Sequence, residues 1–214
     1  MSEPWVSTYF TIGDKDRTVE NFKRQLEFLG KVGGRDIVVA EFGMSSHLQP
    51  IPVFKHRPEF TDKEWGLLTG GLNVIGELAA GKNMRLCYHH HMGTGVQTAE
   101  DIDRLMAGTD PNYVHLLLDT GHLRFAGDDP LTAVERHKQR IKHVHLKNVR
   151  QPVVDKVKSD HLSFQGESWQ ASSPCPETQQ ARSTSSPSSR RWGKPATRDG
   201  WSSRPNSTRR RRTR

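Results

Sequence analysis

Hydrophobic and polar positions divide the chain into short apolar runs and stretches with helical spacing. The apolar runs, rich in β-branched and aromatic residues, predict five strands, over 5–12, 36–41, 84–91, 114–119 and 141–146. Between the first two runs, Val19, Phe22, Leu26 and Leu29 recur at the spacing of a helix face. A repeated order of strand, helix and strand is typical of right-handed βαβ units that build a parallel sheet.

Helix starts and one long loop complete the predicted element order. Thr61 and Glu64 have the spacing of a capping box, Thr98 is the N-cap of the next helix, and Pro130 stands at the first position of a short one. The polar, proline-containing segment 43–60 predicts a loop long enough to act as a lid.

Two architectures contain a parallel sheet of this kind. A closed (β/α)8 barrel needs about 250 residues, and about five βα units are visible here. An open doubly wound sheet is the alternative, but no glycine-rich phosphate loop follows the first strand. We therefore predict an α/β fold, an incomplete (β/α)8 TIM barrel, over residues 1–164.

Composition separates residues 165–214 from the rest of the chain. Residues 1–150 hold 19 Lys and Arg against 19 Asp and Glu, whereas residues 151–214 hold 13 against 5, so the net charge of +8 lies in the last part. From Gln165 onward there is no Leu, Ile, Val, Phe, Met or Tyr. A segment without aliphatic side chains cannot bury enough apolar surface to fold, so we expect a disordered basic tail.

The same charge distribution bears on partners and compartment. The neutral front part is not a basic nucleic-acid-binding fold. The arginines of 204–214 could bind nucleic acid or act as a localisation signal, but we favour a solvated run without a partner. With no apolar run long enough to span a membrane, no signal peptide, and no CxxC pair formed by Cys87 and Cys175, we expect a cytoplasmic protein.

Three of the predicted strands end in side chains that bind metals. These side chains are His89 and His91 on the third strand, Asp119 and His122 after the fourth, and His143 and His145 on the fifth. Because barrel enzymes assemble their sites at the carboxyl ends of the strands, we expect a shared metal or substrate site there. Imidazole and carboxylate together suit Mn²⁺, Co²⁺, Fe²⁺ or Zn²⁺. Period-two alternation turns His90 to the other face, where we expect a structural role.

Five more polar residues are weaker candidates for this site. Glu41 ends the second strand, where it could reach the site mouth and bind substrate or form a salt bridge instead. Arg124 and Lys147 could contact substrate oxygens or remain as solvated charges. His47 and His56 lie in the predicted lid and are the weakest of the candidates.

Three motifs together resemble the inosose dehydratases, which are members of the xylose isomerase-like barrels. They are YHHHMGTGVQT from position 88, LLLDTGHL from position 116 and HVHLK from position 143. The resemblance covers about residues 5–164. It implies a divalent metal, Mn²⁺ or Co²⁺, bound through Asp119, His145 and His89. Where the family has an aspartate after its HLK run, this chain has Asn148.

The resemblance also implies the reaction, dehydration of 2-keto-myo-inositol (scyllo-inosose), a small polyol ketone, to a trihydroxycyclohexane-dione. Removing a proton next to a ketone requires a Lewis acid on the carbonyl oxygen, a base for the proton and an acid for the leaving hydroxide. His89, His91 and His122 are the candidate catalytic groups, and their individual roles stay open at this point. Sugar isomerisation or epimerisation within the same barrel superfamily is the alternative.

The codons of the tail predict a frameshift. Read one base upstream, serine codons of the TCN type become NTC codons for Phe, Leu, Ile or Val, and the shifted reading of 169–207 permits a helix and a strand ending in V-V-E. The peptide encoded in the shifted frame resembles the last βα unit of the family. Family members also have two further βα units before the strand that here begins at Trp5. We therefore expect a truncated barrel, a non-native tail from about Gln165, and little or no dehydratase activity.

Overall fold

The computed structural model of the chain describes residues 5–164. Within this range the strands are β1 (Trp5–Thr8), β2 (Asp36–Glu41), β3 (Arg85–His89), β4 (Val114–Asp119) and β5 (Ile141–His145). The helices are α1 (Lys15–Lys31), α2 (Asp62–Ala80), α3 (Ala99–Gly108), α4 (Thr120–Ala126), α5 (Pro130–His137) and α6 (Gln151–Ser159). The predicted tail of 165–214 and its frameshift lie outside the described residues.

The five described strands form one parallel sheet in the order β1-β2-β3-β4-β5. Each strand therefore pairs with its neighbours in sequence, as in a (β/α)8 barrel, whereas a doubly wound sheet reverses its strand order. The carboxyl ends lie in register: Thr8 pairs with Glu41, His89 with Leu117, and Asp119 with His145. The predicted parallel sheet of about five βα units is confirmed.

Alternating side chains of the strands supply two apolar layers. On β2, Ile37 and Val39 face the helices and join the main core with Phe22, Leu72 and other helix residues. The opposite face carries a smaller buried cluster of Val38, Cys87 and Leu117. The strands β2, β3 and β4 are thus covered on both faces, which explains the continuous apolar character of β2 and β4.

Three strands end earlier than the sequence pattern predicts. β1 stops at Thr8 rather than at residue 12, because the backbone N–H groups of Phe10 and Thr11 turn to donate to the carboxylate of Glu41. β3 stops at His89 because the N–H of His91 donates to the carbonyl of Val96 and closes a turn. β5 ends at His145, one residue before the predicted end.

The predicted helix starts are confirmed, and two helices were missed. Thr61 and Thr98 each begin a capping box, and Asp129 is the N-cap of α5. The missed helices are α4 and α6. None of the helices in the described part of the chain has the length and apolar character needed to cross a membrane.

Candidate metal centre

Asp119 lies at the carboxyl end of β4 and is fully buried. Its Oδ1 accepts hydrogen bonds from the backbone N–H groups of Gly121 and His122, both at 2.9 Å. Asp119 is thereby the N-cap of α4, so the motif DTGH forms a strand end followed at once by a helix start. These two bonds hold the carboxylate in one orientation and leave Oδ2 for other partners.

Oδ2 of Asp119 faces three nitrogen atoms from two other strands. His89 Nε2 of β3 lies 3.2 Å away, and His145 Nδ1 of β5 lies 3.4 Å away. The ammonium of Lys147, two residues beyond β5, contacts the same oxygen at 2.6 Å. The fold thus converts three separate strand ends into one cluster around a single carboxylate oxygen.

Glycine at position 121 lets Lys147 reach this carboxylate. A Cβ on Gly121 would lie only 2.6 Å from the Cβ of Lys147 and 3.3 Å from Oδ1 of Asp119. Thr120 fixes the same segment from the other side, because its hydroxyl accepts the Lys147 N–H at 2.9 Å and donates to the Lys147 carbonyl at 3.1 Å. The Thr-Gly pair therefore positions both ends of the Lys147 to Asp119 contact.

His90 directly follows β3, and its ring lies 5.9 Å from that of His89. Its side chain is fully buried, and its Nε2 accepts the backbone N–H of Asp119 at 3.1 Å. Burial lowers the pKa of His90 to about 3, so the ring is neutral and its Nε2 keeps the lone pair that this bond requires. These contacts support a structural role for His90, which stays a prediction.

His91 and His122 lie against each other, with ring centroids 3.8 Å apart. Both rings bond to the backbone of Met92, one ring as a donor and the other as an acceptor. The carbonyl of Met92 accepts from His91 Nδ1 at 2.8 Å, whereas the N–H of Met92 donates to His122 Nδ1 at 3.4 Å. A neutral His91 therefore carries its proton on Nδ1 and its lone pair on Nε2, and a neutral His122 carries its proton on Nε2.

Burial sets the protonation state of the cluster. Desolvation lowers the pKa of His89, and it lowers those of His91 and His122 well below the usual value, so all three rings are neutral near pH 7. Burial alone would raise the pKa of Asp119. The hydrogen bond from His89 and the contact with Lys147 outweigh this effect, and the pKa of Asp119 falls far below its ordinary value.

The donor set fits a divalent metal. One ligand atom each from His89, Asp119 and His122 lies within 4.8 Å of the others, and all three residues are buried. Neutral imidazoles and an ionised carboxylate are the forms that bind metal. A mixed nitrogen and oxygen set of this kind suits Mn²⁺, Co²⁺, Fe²⁺ or Zn²⁺.

Several predicted site residues lie outside this cluster. The Glu41 carboxylate is buried and accepts five hydrogen bonds, from groups of Thr8, Phe10, Thr11 and Gly43. Its predicted contact with substrate stays a prediction. His143 Nδ1 lies 3.5 Å from Asp36 Oδ2, and His47 is buried beside His91. Arg124, in the last turn of α4, and His56 are both exposed.

The profile of the xylose isomerase-like TIM barrel matches residues 10–171. The chain belongs to this family. An inosose dehydratase of Bacillus cereus (strain AH820) is 48% identical over 165 residues, which are 77% of this chain and 55% of that protein. The similarity to inosose dehydratases predicted from the motifs is therefore confirmed. The chain spans about half the length of the curated relatives it matches.

Solved structures support the xylose isomerase-like fold. The probable 3-DHS dehydratase AsbF of Bacillus anthracis superposes with a TM-score of 0.53 at 21% identity, covering 68% of this chain and 50% of AsbF. The IolI protein, solved with a bound zinc atom, superposes with a TM-score of 0.51 at 16% identity, covering 69% of this chain and 50% of IolI. At these identities the likeness shows the shared barrel fold alone.

Aromatic side chains that were not predicted as site residues surround the cluster of this xylose isomerase-like barrel. The Trp5 ring lies 4.8 Å from that of His89, and Phe42 lies 6.0 Å from His91. Phe164 contacts the rings of His91 and His122 at 5.4 and 5.7 Å. The pattern of the sequence marks Trp5 only as a strand residue, because an aromatic ring has no spacing that distinguishes a site wall from a core.

A lid over the same end of the sheet joins the 43–60 loop to the segment that ends in Phe164. Val53 donates its N–H to the carbonyl of Leu162 at 3.2 Å, and Pro52 bridges Ser163. A separate apolar cluster holds the two segments together; its buried members are Val53, Met92, Phe125, Val154 and Val157. The predicted loop is thus present and packs over the site.

Proposed function

We propose that the site is that of a metal-dependent hydro-lyase that dehydrates 2-keto-myo-inositol to a trihydroxycyclohexane-dione. The observation that carries this proposal is the convergence of His89, His145 and Lys147 on Oδ2 of the buried Asp119. Its support in sequence is the 48% identity to an inosose dehydratase over 165 residues. The substrate in this proposal is therefore a small polyol ketone.

The metal in this proposal is Mn²⁺ or Co²⁺, held by Asp119, His145 and His89. His122 belongs to the group of ligand atoms within 4.8 Å of one another, but in this proposal it serves as a proton donor and not as a ligand. When bound, the metal supplies Lewis-acid polarisation of the substrate's carbonyl oxygen. Asp119 contributes the negative charge, and its two bonds from the start of α4 keep Oδ2 directed into the site.

The two histidines anchored by Met92 supply opposite proton-transfer functions. His91 Nε2 has the lone pair needed to accept the proton from the carbon next to the ketone. His122 Nε2 has the proton needed by the hydroxide that leaves from the following carbon. The carbon–hydrogen electron pair forms the new double bond, the carbon–oxygen bond breaks, and water is released. The resulting enol then becomes the dione by proton transfer.

Lys147 and the lid complete the site in this proposal. The Lys147 ammonium lies beside Oδ2 of Asp119, where it can donate to a substrate oxygen. Phe164 and the apolar cluster under the 43–60 loop exclude water from the histidine pair. Exclusion of water protects the enol from side reactions before it leaves the site.

The test measures the product formed from scyllo-inosose by the purified chain with Mn²⁺ or Co²⁺. We expect dione formation that is abolished by Asp119→Asn and kept by Asp129→Asn, which makes the same change at the N-cap of α5. The expected rate is low, as the sequence predicts. An isomerised ketose without dione would instead establish an epimerase, and dione formation that Asp119→Asn leaves unchanged would contradict the proposed site.

A further inference from the structure

A groove beside the metal cluster is lined by aromatic rings. Its volume is about 300 Å³, at the lower end of the range for small-molecule sites. The rings are those of Trp5, Tyr9, Phe42, His47 and His91. The groove opens between β1 and the loop that follows β2, so it adjoins the proposed reaction site without being part of the metal cluster.

The rings of this groove form a connected wall. Phe42 and His47 lie 4.4 Å apart, and His47 and His91 lie 5.0 Å apart. Trp5 lies 5.8 Å from Phe42 and 4.8 Å from His89, which links the wall to the cluster. A molecule in the groove therefore contacts aromatic faces while one of its atoms reaches the histidines.

The wall is held by the loop that follows β3. Ser46 donates its N–H to the carbonyl of Gly93 at 2.8 Å, and its hydroxyl contacts the same carbonyl. Gly93 has φ +74°, and a Cβ there would lie 2.8 Å from the backbone nitrogen of His47. Such a close approach ties His47 and its neighbours to the strand that carries His89 and His91, so the wall is preformed.

The chemistry of the groove selects a shape of polyol. A six-membered ring with all hydroxyls equatorial presents only carbon-bound hydrogens on its two faces, and these carry partial positive charge. Aromatic faces carry partial negative charge from their π-electrons and attract such hydrogens. Hydroxyl groups of Ser7, Tyr9 and Ser45 line the same groove and can bond the equatorial oxygens at the ring edge.

We propose that Trp5, Phe42 and His47 form a stacking subsite for the face of a cyclohexane polyol whose hydroxyls are equatorial. The hydroxyls of 2-keto-myo-inositol are all equatorial, so this inference rests on the proposed function and names the part of the chain that selects its substrate. The subsite discriminates against isomers with axial hydroxyls on the stacked face. An axial oxygen there holds the polyol ring away from the aromatic wall, and it gives up its hydrating water without gaining a hydrogen bond from the protein.

The experiment measures binding of two unreactive inositols to the full chain by calorimetry. scyllo-Inositol has only equatorial hydroxyls, whereas neo-inositol has one axial hydroxyl on each face and therefore no oxygen-free face to stack. We expect the chain to prefer scyllo-inositol, and Phe42→Leu to weaken its binding by about 3- to 10-fold, the range for one aromatic contact, while reducing the preference. Phe42→Tyr keeps the ring and should keep both values. Phe28→Leu, on the exposed face of α1, is the matched control.

Five results are informative. Loss of the preference in Phe42→Leu, with parent-like Phe42→Tyr and Phe28→Leu, supports the subsite. Equal binding of both inositols by the parent chain overturns it, as does a Phe42→Leu variant that binds like the parent. Dione formation by a chain that binds neither inositol also overturns the subsite but leaves the proposed function standing. A ring-dependent preference together with an isomerised ketose in place of the dione supports the subsite and contradicts the proposed function.

Discussion

Replacing Glu41 by glutamine separates a structural role of this carboxylate from a role in substrate binding. Oε2 accepts from the Thr8 hydroxyl at 2.7 Å and from the Phe10 N–H at 3.1 Å. Oε1 accepts from the N–H and hydroxyl of Thr11 at 3.3 and 2.8 Å and from the Gly43 N–H at 3.1 Å. An amide NH2 in either place faces at least one backbone N–H that has lost its acceptor.

The size of the effect follows from these contacts. A buried donor left without an acceptor costs about 1–3 kcal/mol, and the remaining bonds lose the contribution of the negative charge. We expect Glu41→Gln to lower the free energy of unfolding by about 2–4 kcal/mol, or the melting temperature by about 5–15 °C. Glu20→Gln, an exposed position of α1, should leave both unchanged.

The assay is thermal unfolding followed by circular dichroism, with metal affinity measured in parallel. Glu41→Gln should melt early and, below its transition, bind metal as the parent does, because the Glu41 carboxylate bonds the β1–α1 turn rather than the cluster. A variant with the parent's melting temperature but weaker binding of scyllo-inosose would refute this reasoning and restore Glu41 as a substrate ligand.

Three further predictions follow from single contacts. Gly121→Ala places a Cβ 2.6 Å from that of Lys147 and should cost about 1–3 kcal/mol in chemical denaturation, whereas Gly70→Ala, with open space around it, should not destabilise. Burial lowers the pKa of His47 to about 4, so the unfolded chain binds a proton between pH 6.5 and 4 that the folded chain does not; stability should fall with pH there, and less steeply in His47→Gln. Lys147→Gln removes the ammonium from the carboxylate that we assign to the metal and should tighten Mn²⁺ binding at least about fivefold, while Lys142→Gln should not. The corresponding contact would be contradicted by an unchanged stability of Gly121→Ala, an unchanged pH dependence of His47→Gln or an unchanged Mn²⁺ affinity of Lys147→Gln.

The sheet and its helix faces could be predicted because their signals are local. β2 and β4 have the predicted bounds, and the capping box of Thr61 and Glu64 forms as expected. The helix α4 was missed because it begins directly at Asp119, whose carboxylate takes the N-cap position while also belonging to the cluster. A residue with both roles gives no separate sequence signal for the helix.

The site was predicted in part, for a reason that lies in the topology. The motifs on β3, β4 and β5 place His89, Asp119 and His145 at one end of a parallel sheet, and period-two alternation separates His90 from His89. The opposite proton positions of the two histidines beside Met92 depend on distances across loops, which no residue spacing encodes. The Glu41 carboxylate points to the β1–α1 loop because β1 ends early and frees backbone N–H groups there. This contact between distant parts of the chain also has no signal in residue spacing.

We propose that Asp119 holds a divalent metal together with His89 and His145. Titration of the metal-free chain with Co²⁺, followed by visible absorption, tests this directly, because the spectrum reports the coordination of nitrogen and oxygen ligands. We expect one ion for each chain and loss of this spectrum in Asp119→Asn, with Asp129→Asn unchanged. A parent chain that binds no Co²⁺, or an Asp119→Asn variant with the spectrum of the parent, would contradict it.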